Sequence, residues 1–291
     1  MADNTPQGIR PQASAFPPVV DAAWLAAHRA SVVVVDARGG RAGRSGEEGY
    51  RLGHIPGAVF VDLERWLSGP PSAAAGRHPL PDPAVFAEGM GRAGIGDGAT
   101  VVGYDDVGGV LAARCVWMLR ALGESAALLD GGLAAWTGPL ETGEAQPAPA
   151  RFRTRPWPRE ALATIDEVAQ AVAGPGPLVL DARPRERYRG EGEALDARGG
   201  HIPGSITAPC RENLDHAGRF LAPEALRSRF ASLGVGDARD VISTCGSGVT
   251  ACHNLLALEW VGLGRGRLFP GSWSQWSGDP SRPVATGEGR G

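Results

Sequence analysis

The sequence predicts an α/β protein made of two tandem copies of one domain, each a mainly parallel sheet with helices on both faces. Three observations carry this expectation. Four segments of the first half recur in order in the second half. Short runs of Val, Ile and Leu alternate with helical patterns such as "AARCVWMLRAL", which is how strands buried on both faces read. Two copies are too few for a solenoid, so the repeat describes a duplicated globular unit.

The elements follow in order. "VVVVDAR" (32–38) returns as "LVLDAR" (178–183), giving each copy a first buried strand. "GHIPGAVFVDLE" (53–64) returns as "GHIPGSITAPCRE" (200–212), a loop ending in His-Ile-Pro-Gly and a short strand. After a helix, "GIGDGATVVGYDD" (94–106) matches "GVGDARDVISTCG" (234–246) as a central strand. A second helix leads to the last strand, where "LLDGGLAAW" (128–136) matches "LFPGSWSQW" (268–276). The division expected is a first domain over 1–140, a Pro/Gly-rich linker over 141–160 and a second domain over 161–291. The final stretch "GDPSRPVATGEGRG" reads as a loose tail.

Composition narrows the function. A hydrophobic content of 43%, a charged content of 21% and a net charge of −3 fit a soluble globular protein and give no basic surface for nucleic acid. All 29 basic residues are arginine. Without lysine the chain has neither Schiff-base chemistry nor the lysine of a phosphate-binding P-loop. The polar start "MADNTPQGIRPQ" lacks the apolar stretch of a signal peptide, and no run is long enough to cross a bilayer. Cys115, Cys210, Cys245 and Cys252 form no Cys-x-x-Cys pair, so a zinc ribbon is not expected. Neither a metal nor an organic cofactor is implied, and the expected compartment is the reducing cytoplasm.

Cys245 is the informative one. It stands where the strand "DVIST" meets the turn "CGSGVT", with a helix expected to begin near Val249. Strand-to-helix loops of parallel sheets lie where ligands bind. Gly246 and Gly248 let the backbone curl, so several N–H groups should converge near the sulfur at the positive end of a helix. In such a nest the thiol is expected to ionise more readily than a free cysteine. The first copy has Asp105 at the matching place, in "GYDDVGG". Packing of the domain therefore does not require cysteine there.

The two HIPG motifs, the duplication and the loop "CGSGVTAC" together resemble the tandem-domain rhodanese family of sulfurtransferases, over roughly residues 16 to 280. The resemblance implies that Cys245 accepts a sulfur atom as a persulfide and passes it on, while the first domain, with Asp105, forms a wall of the cleft. It also implies a small-molecule sulfur donor and a thiol, thioredoxin-like or cyanide acceptor. The neutral "CGSG" is similar to the 3-mercaptopyruvate branch, whereas thiosulfate-using members place cations directly after the cysteine. A small dianion would gain most from cations inside the loop, and Gly246 and Ser247 carry none.

By the same resemblance Ser247 assists proton movement, with His54 the matching first-domain histidine. HIPG occurs in both halves, so a structural role for His54 stands beside the assisting one. Arg187 matches the first substrate arginine and Arg198 is the candidate for the second. Gly246, Gly248, Val249 and Thr250 complete the expected binding loop, and the "GSWSQW" tryptophans are expected to pack beside it. Thiosulfate as donor and a sulfur carrier with little turnover remain as alternatives. A cysteine phosphatase would need arginine six residues after the nucleophile, where Ala251 stands.

Overall fold

The structure is a computed structural model that describes residues 16–41 and 43–290. The polar start read above lies outside the described residues. The first half forms β1 (Val19–Val20), α1 (Ala22–His28), β2 (Val33–Asp36), α2 (Gly46–Leu52), β3 (Val59–Phe60), α3 (Leu63–Trp66), α4 (Pro83–Arg92), β4 (Val101–Tyr104), α5 (Ala112–Ala121) and β5 (Ala126–Leu129). The second forms α6 (Ile165–Ala173), β6 (Leu178–Asp181), α7 (Arg185–Arg189), β7 (Ile206–Thr207), α8 (Pro223–Ser232), β8 (Val241–Thr244), α9 (Ala251–Trp260), β9 (Arg267–Leu268) and α10 (Ser272–Gly278).

Both sheets are parallel, in the orders β1-β5-β4-β2-β3 and β7-β6-β8-β9. The expected α/β architecture with helices on both faces is what forms. The edge strand β1 is an addition to the sequence reading. Two residues after a Pro-Pro pair are too short to show a period. In the second half its counterpart shrinks to one parallel bridge, Leu162 to Leu268.

The repeated motifs build the same module twice. Arg38 binds the buried Asp36 carboxylate and the Gly53 carbonyl. Arg183 does the same with Asp181 and the Gly200 carbonyl. His54 stacks on Tyr50 at 4.0 Å and bonds its carbonyl through Nδ1. His201 repeats this on Tyr188 at 3.7 Å. The backbone of His54 pairs antiparallel with Glu141, and that of His201 with Ala285. The expected loose tail is therefore a correction. Residues around Ala285 are tied to the HIPG loop because its main-chain groups, buried among side chains, need partners.

The halves meet along α5 and α9, whose buried faces merge into one apolar core running through both domains. Beside it Arg120 on α5 bonds Glu259 on α9 in bidentate fashion, at 3.0 and 2.7 Å, and Arg265 joins Glu259 at 2.7 Å. Arg120 is nearly fully buried. Removing Arg120 takes the bidentate partner from Glu259 and leaves it Arg265 alone in a largely buried place. Arg120→Met should cost about 3 kcal/mol and lower the midpoint of calorimetric unfolding. An unchanged midpoint would mean that apolar contact alone holds the halves together.

Candidate active site

Cys245 follows the central strand β8, and its loop is bound mainly from behind. The Cys245 and Gly246 carbonyls accept from the Trp273 and Ser274 amides, at 3.0 and 2.8 Å, where α10 begins. The Cys245 amide donates to Ser272 Oγ at 3.1 Å. Ser272 is the one non-glycine with positive φ among the described residues, at 51°. With these groups turned back, the Gly248 amide points at Cys245 Sγ, 3.1 Å away. Gly248 has φ +80°, and a Cβ there would collide with the Pro270 carbonyl. The "GSWSQW" segment thus does pack beside the loop. Trp273 lies under the Arg183 guanidinium at 4.7 Å.

The nest is smaller than the sequence suggested, since only the Gly248 amide bonds the sulfur among the described residues. Val249 and Thr250 stay in the turn, because α9 starts at Ala251. The first-domain loop (105–111), one residue longer, closes on its own carboxylate. Asp105 accepts from the Val107, Gly109, Leu111 and Ala112 amides at 2.7–2.9 Å.

In front of the sulfur lies a cavity of about 610 Å³, lined by Cys245, Gly246, Ser247, Val249, Thr250, Arg187 and first-domain residues including Arg77 and His78. Arg187 projects from the last turn of α7, and its Nη1 lies 3.3 Å from where a Gly246 Cβ would be. Arg77 Nη2 lies 3.0 Å from the same point. Both guanidinia bind the buried Asp196 carboxylate, Arg77 Nε at 2.9 Å and Arg187 Nη2 at 2.7 Å. Arg187 also bonds Glu193. Burial pushes Glu193 up, yet the Leu195 amide and Arg187 hold it below the usual carboxylate range.

Two expected residues are elsewhere. Arg198 gives its donors to the carbonyls of Trp276, Ser277, Asp279 and Arg282 at 2.7–3.2 Å, closing the end of α10. It does not line the cavity in front of Cys245, since its guanidinium is turned to these carbonyls. His54 is part of the buried HIPG module and does not line the cavity.

The first-domain histidine that does reach the loop is His78. Its Nδ1 lies 2.7 Å from Ser247 Oγ and its Nε2 2.9 Å from Glu64 Oε1. A carboxylate only accepts, so Nε2 carries the proton and Nδ1 accepts from the Ser247 hydroxyl. Burial lowers the His78 pKa, partly opposed by Glu64 and reinforced by Arg77 and Arg114. The balance favours the neutral imidazole over the imidazolium.

The segment that carries Arg77 and His78 is docked on the second domain. The Arg77 amide donates to Ser274 Oγ at 3.0 Å, and the left-handed Gly76 sits where a Cβ would press on the Gly271 carbonyl. Arg114 on α5, fully buried, donates to the Leu67, His78 and Gly248 carbonyls at 3.0–3.2 Å. Burial lowers the Arg114 pKa, whereas the Asp181 carboxylate holds that of Arg183 up against its burial. Burial pushes Cys115, Cys210 and Cys252 up to about 12, so they stay protonated thiols at neutral pH.

A duplicated α/β chain with one thiol at the mouth of a central strand, served by side chains from both halves, is built for group transfer through cysteine. The chain belongs to the family of rhodanese-like domains, which matches residues 20–139 and 164–279. A Pseudomonas aeruginosa relative, provisionally named 3-mercaptopyruvate sulfurtransferase, is 48% identical over 82% of this chain and 86% of its own. A Mycobacterium tuberculosis relative, provisionally named thiosulfate sulfurtransferase SseB, is 42% identical over 83% of this chain and 86% of its own. The crystal structure of the Escherichia coli 3-mercaptopyruvate sulfurtransferase SseA covers 89% of this chain and 100% of its own, with 34% identity and a TM-score of 0.77.

Replacing Gly248 by Ala should lower turnover more than tenfold, because the new Cβ must displace the Pro270 carbonyl or the loop, while Gly246→Ala meets only side-chain tips. His78→Gln should lower turnover about a hundredfold, and His54→Gln should lower the melting temperature with turnover per folded molecule kept. If neutral His78 is required, the acid limb of the rate profile lies below the ordinary histidine value of about 6.5. Glu64→Gln should move that limb to lower pH, because Glu64 favours the imidazolium.

Proposed function

We propose that this chain is a sulfurtransferase that takes the sulfur of 3-mercaptopyruvate onto Cys245 and delivers it to a thiol acceptor. The Cys245 thiolate attacks the donor sulfur and a sulfur–sulfur bond forms. The carbon–sulfur bond breaks, and its electron pair leaves as the enolate of pyruvate. The proton released by the attacking thiol passes through Ser247 to His78 and returns along the same path to the methylene carbon. An acceptor thiol, a thioredoxin-like protein or cyanide then attacks the outer sulfur and restores Cys245, so the kinetics are double-displacement. Arg187 orients the donor carboxylate. Gly246, Gly248, Val249 and Thr250 shape the loop that holds the persulfide.

The observation that carries the donor assignment is the hydrogen bond from Ser247 to His78 at 2.7 Å. An enolate must take up a proton at carbon to become pyruvate, so a relay beside the thiol is useful to that donor. Sulfite, released from thiosulfate, leaves without such a step. The first-domain loop supports the persulfide half of the reading. A persulfide extends one atom beyond Cβ–Sγ, as the Asp105 oxygens extend beyond Cβ–Cγ, and the Asp105 oxygens receive four amides. The four free cysteines agree with action in a reducing compartment such as the cytoplasm. Among the described residues no helix is long and apolar enough to cross a membrane.

Steady-state turnover with equal concentrations of 3-mercaptopyruvate and thiosulfate, at saturating acceptor, tests the assignment. The expected result is a clear preference for 3-mercaptopyruvate, with donor adding one sulfur to the wild type and none to Cys245→Ser by mass spectrometry. Faster turnover of thiosulfate would overturn the donor, and sulfur loading without turnover would make the chain a carrier.

A further inference from the structure

A second cavity, of about 570 Å³, opens beside the catalytic one, and the mechanism above leaves it unused. Its lining includes Gly39, Arg41, Asp106, Val107, Leu111 and Arg211. Val107, Leu111 and Arg211 also line the cavity in front of Cys245, so the two spaces share one sill. Both halves build that sill. Val107 and Leu111 belong to the first-domain loop closed by Asp105, and Arg211 stands in the short turn Cys210–Asn213 of the second. Arg211 Nη1 lies 3.4 Å from the Val107 carbonyl. Across the cavity the chain leaving β2 comes close, and a Cβ on Gly39 would lie 3.0 Å from Leu111 Cδ1.

Charge distinguishes the two spaces. In the catalytic cavity Arg77 is answered by Asp196, Arg183 by Asp181, Arg185 by Glu212, and Arg187 by Glu193 and Asp196. Arg41, Arg211 and Asp106 meet no ion-pair partner among the described residues. The second cavity thus presents two free guanidinia and one free carboxylate.

We infer that this cavity is the subsite for the sulfur acceptor, and that it takes a small peptide-like thiol carrying two carboxylates and one ammonium group. The inference rests on the persulfide transfer proposed above. Arg41 and Arg211 receive the carboxylates, a pairing that the planar guanidinium suits, and Asp106 receives the ammonium. The volume lies within the range of small-molecule sites. Held there, the acceptor extends its sulfur across the Val107–Leu111 sill to the persulfide on Cys245. Its thiolate attacks the outer sulfur and a new sulfur–sulfur bond forms. The bond to Cys245 breaks, its electron pair returns to Cys245 as thiolate, and the acceptor leaves as a persulfide. Exposed ion pairs are individually weak, which suits a site that must release its product.

The test isolates the second half of the reaction in the full chain. Wild type, Arg41→Met, Arg211→Met, the double variant and Asp106→Asn are loaded with 3-mercaptopyruvate, freed of donor, and mixed with a thiol. Mass spectrometry follows loss of the added sulfur. Three thiols serve as probes: glutathione, with two carboxylates and an ammonium; 3-mercaptopropionate, with a carboxylate alone; and neutral 2-mercaptoethanol. The second-order rate constant for glutathione should fall about threefold in each Met variant and about tenfold in the double variant, while that for 2-mercaptoethanol changes far less. Asp106→Asn should slow glutathione and leave 3-mercaptopropionate as fast or faster. High salt should reproduce the double variant's loss with glutathione alone, because exposed charges are screened. The extent of sulfur loading and circular dichroism show that each variant is folded and keeps its donor half-reaction. Equal rate constants for glutathione in wild type and double variant, or an equal loss with 2-mercaptoethanol, overturn the inference and leave the persulfide reading in place. A wild type that takes no sulfur from the donor overturns that reading and this subsite with it.

Discussion

The site depends on one buried cation. Arg114 leaves helix α5 of the first domain, crosses the apolar seam with α9, and is bonded to no carboxylate among the described residues. Taking a guanidinium out of water costs several kcal/mol unless other groups replace the lost hydration. Here three carbonyls do so, and two of them are decisive, because one belongs to Gly248 and one to His78. A single planar group therefore fixes the spacing between the loop that carries the thiol and the segment that carries the base. Burial lowers its pKa. The α5–α9 seam is thus part of the chemistry as well as of the fold.

The duplication separates what the domain needs from what the reaction needs. Both copies keep the Asp–Arg pair at the end of the first buried strand, the histidine stacked on tyrosine, and the antiparallel tie to a returning segment. A feature present where no thiol exists is explained by packing and hydrogen bonding alone. What differs between the copies lies at the carboxyl end of the central strand, where one loop closes on Asp105 and the other presents Cys245 to a cavity.

Much of this was legible in the sequence, for identifiable reasons. The fold announced itself because buried parallel strands read as apolar runs and because each run occurs twice. Cys245, Ser247 and Arg187 could be found because they stand at fixed places relative to a strand end or to HIPG. Arg77, His78 and Glu64 were not found. Arg77 and His78 lie on an irregular stretch between α3 and α4, "GRHP", which has no copy in the second half and no period to mark it, and Glu64, on α3, ends a repeated segment that reads as domain framework. Their importance arises from docking across the chain, and nothing local encodes that. His54 was misleading for the opposite reason: a repeated motif drew attention to a residue whose ring is buried against Tyr50, away from the cavity. Arg198 failed because sequence order cannot tell a guanidinium facing a cavity from one wrapped around a helix end. Asp196 went unread because an acid between arginines looks like an ordinary solvated loop until its burial is known.

Asp105 has a consequence for the architecture as a whole. A loop that satisfies its own amides with its own carboxylate has no vacancy for an incoming group, so the first half is self-quenched. Freed from turning over anything itself, it lends a base, two guanidinia and a rigid backing to its sibling. Neither half, severed from the other, would keep a complete reaction centre, and the covalent joining of the two makes each chain its own obligate heterodimer.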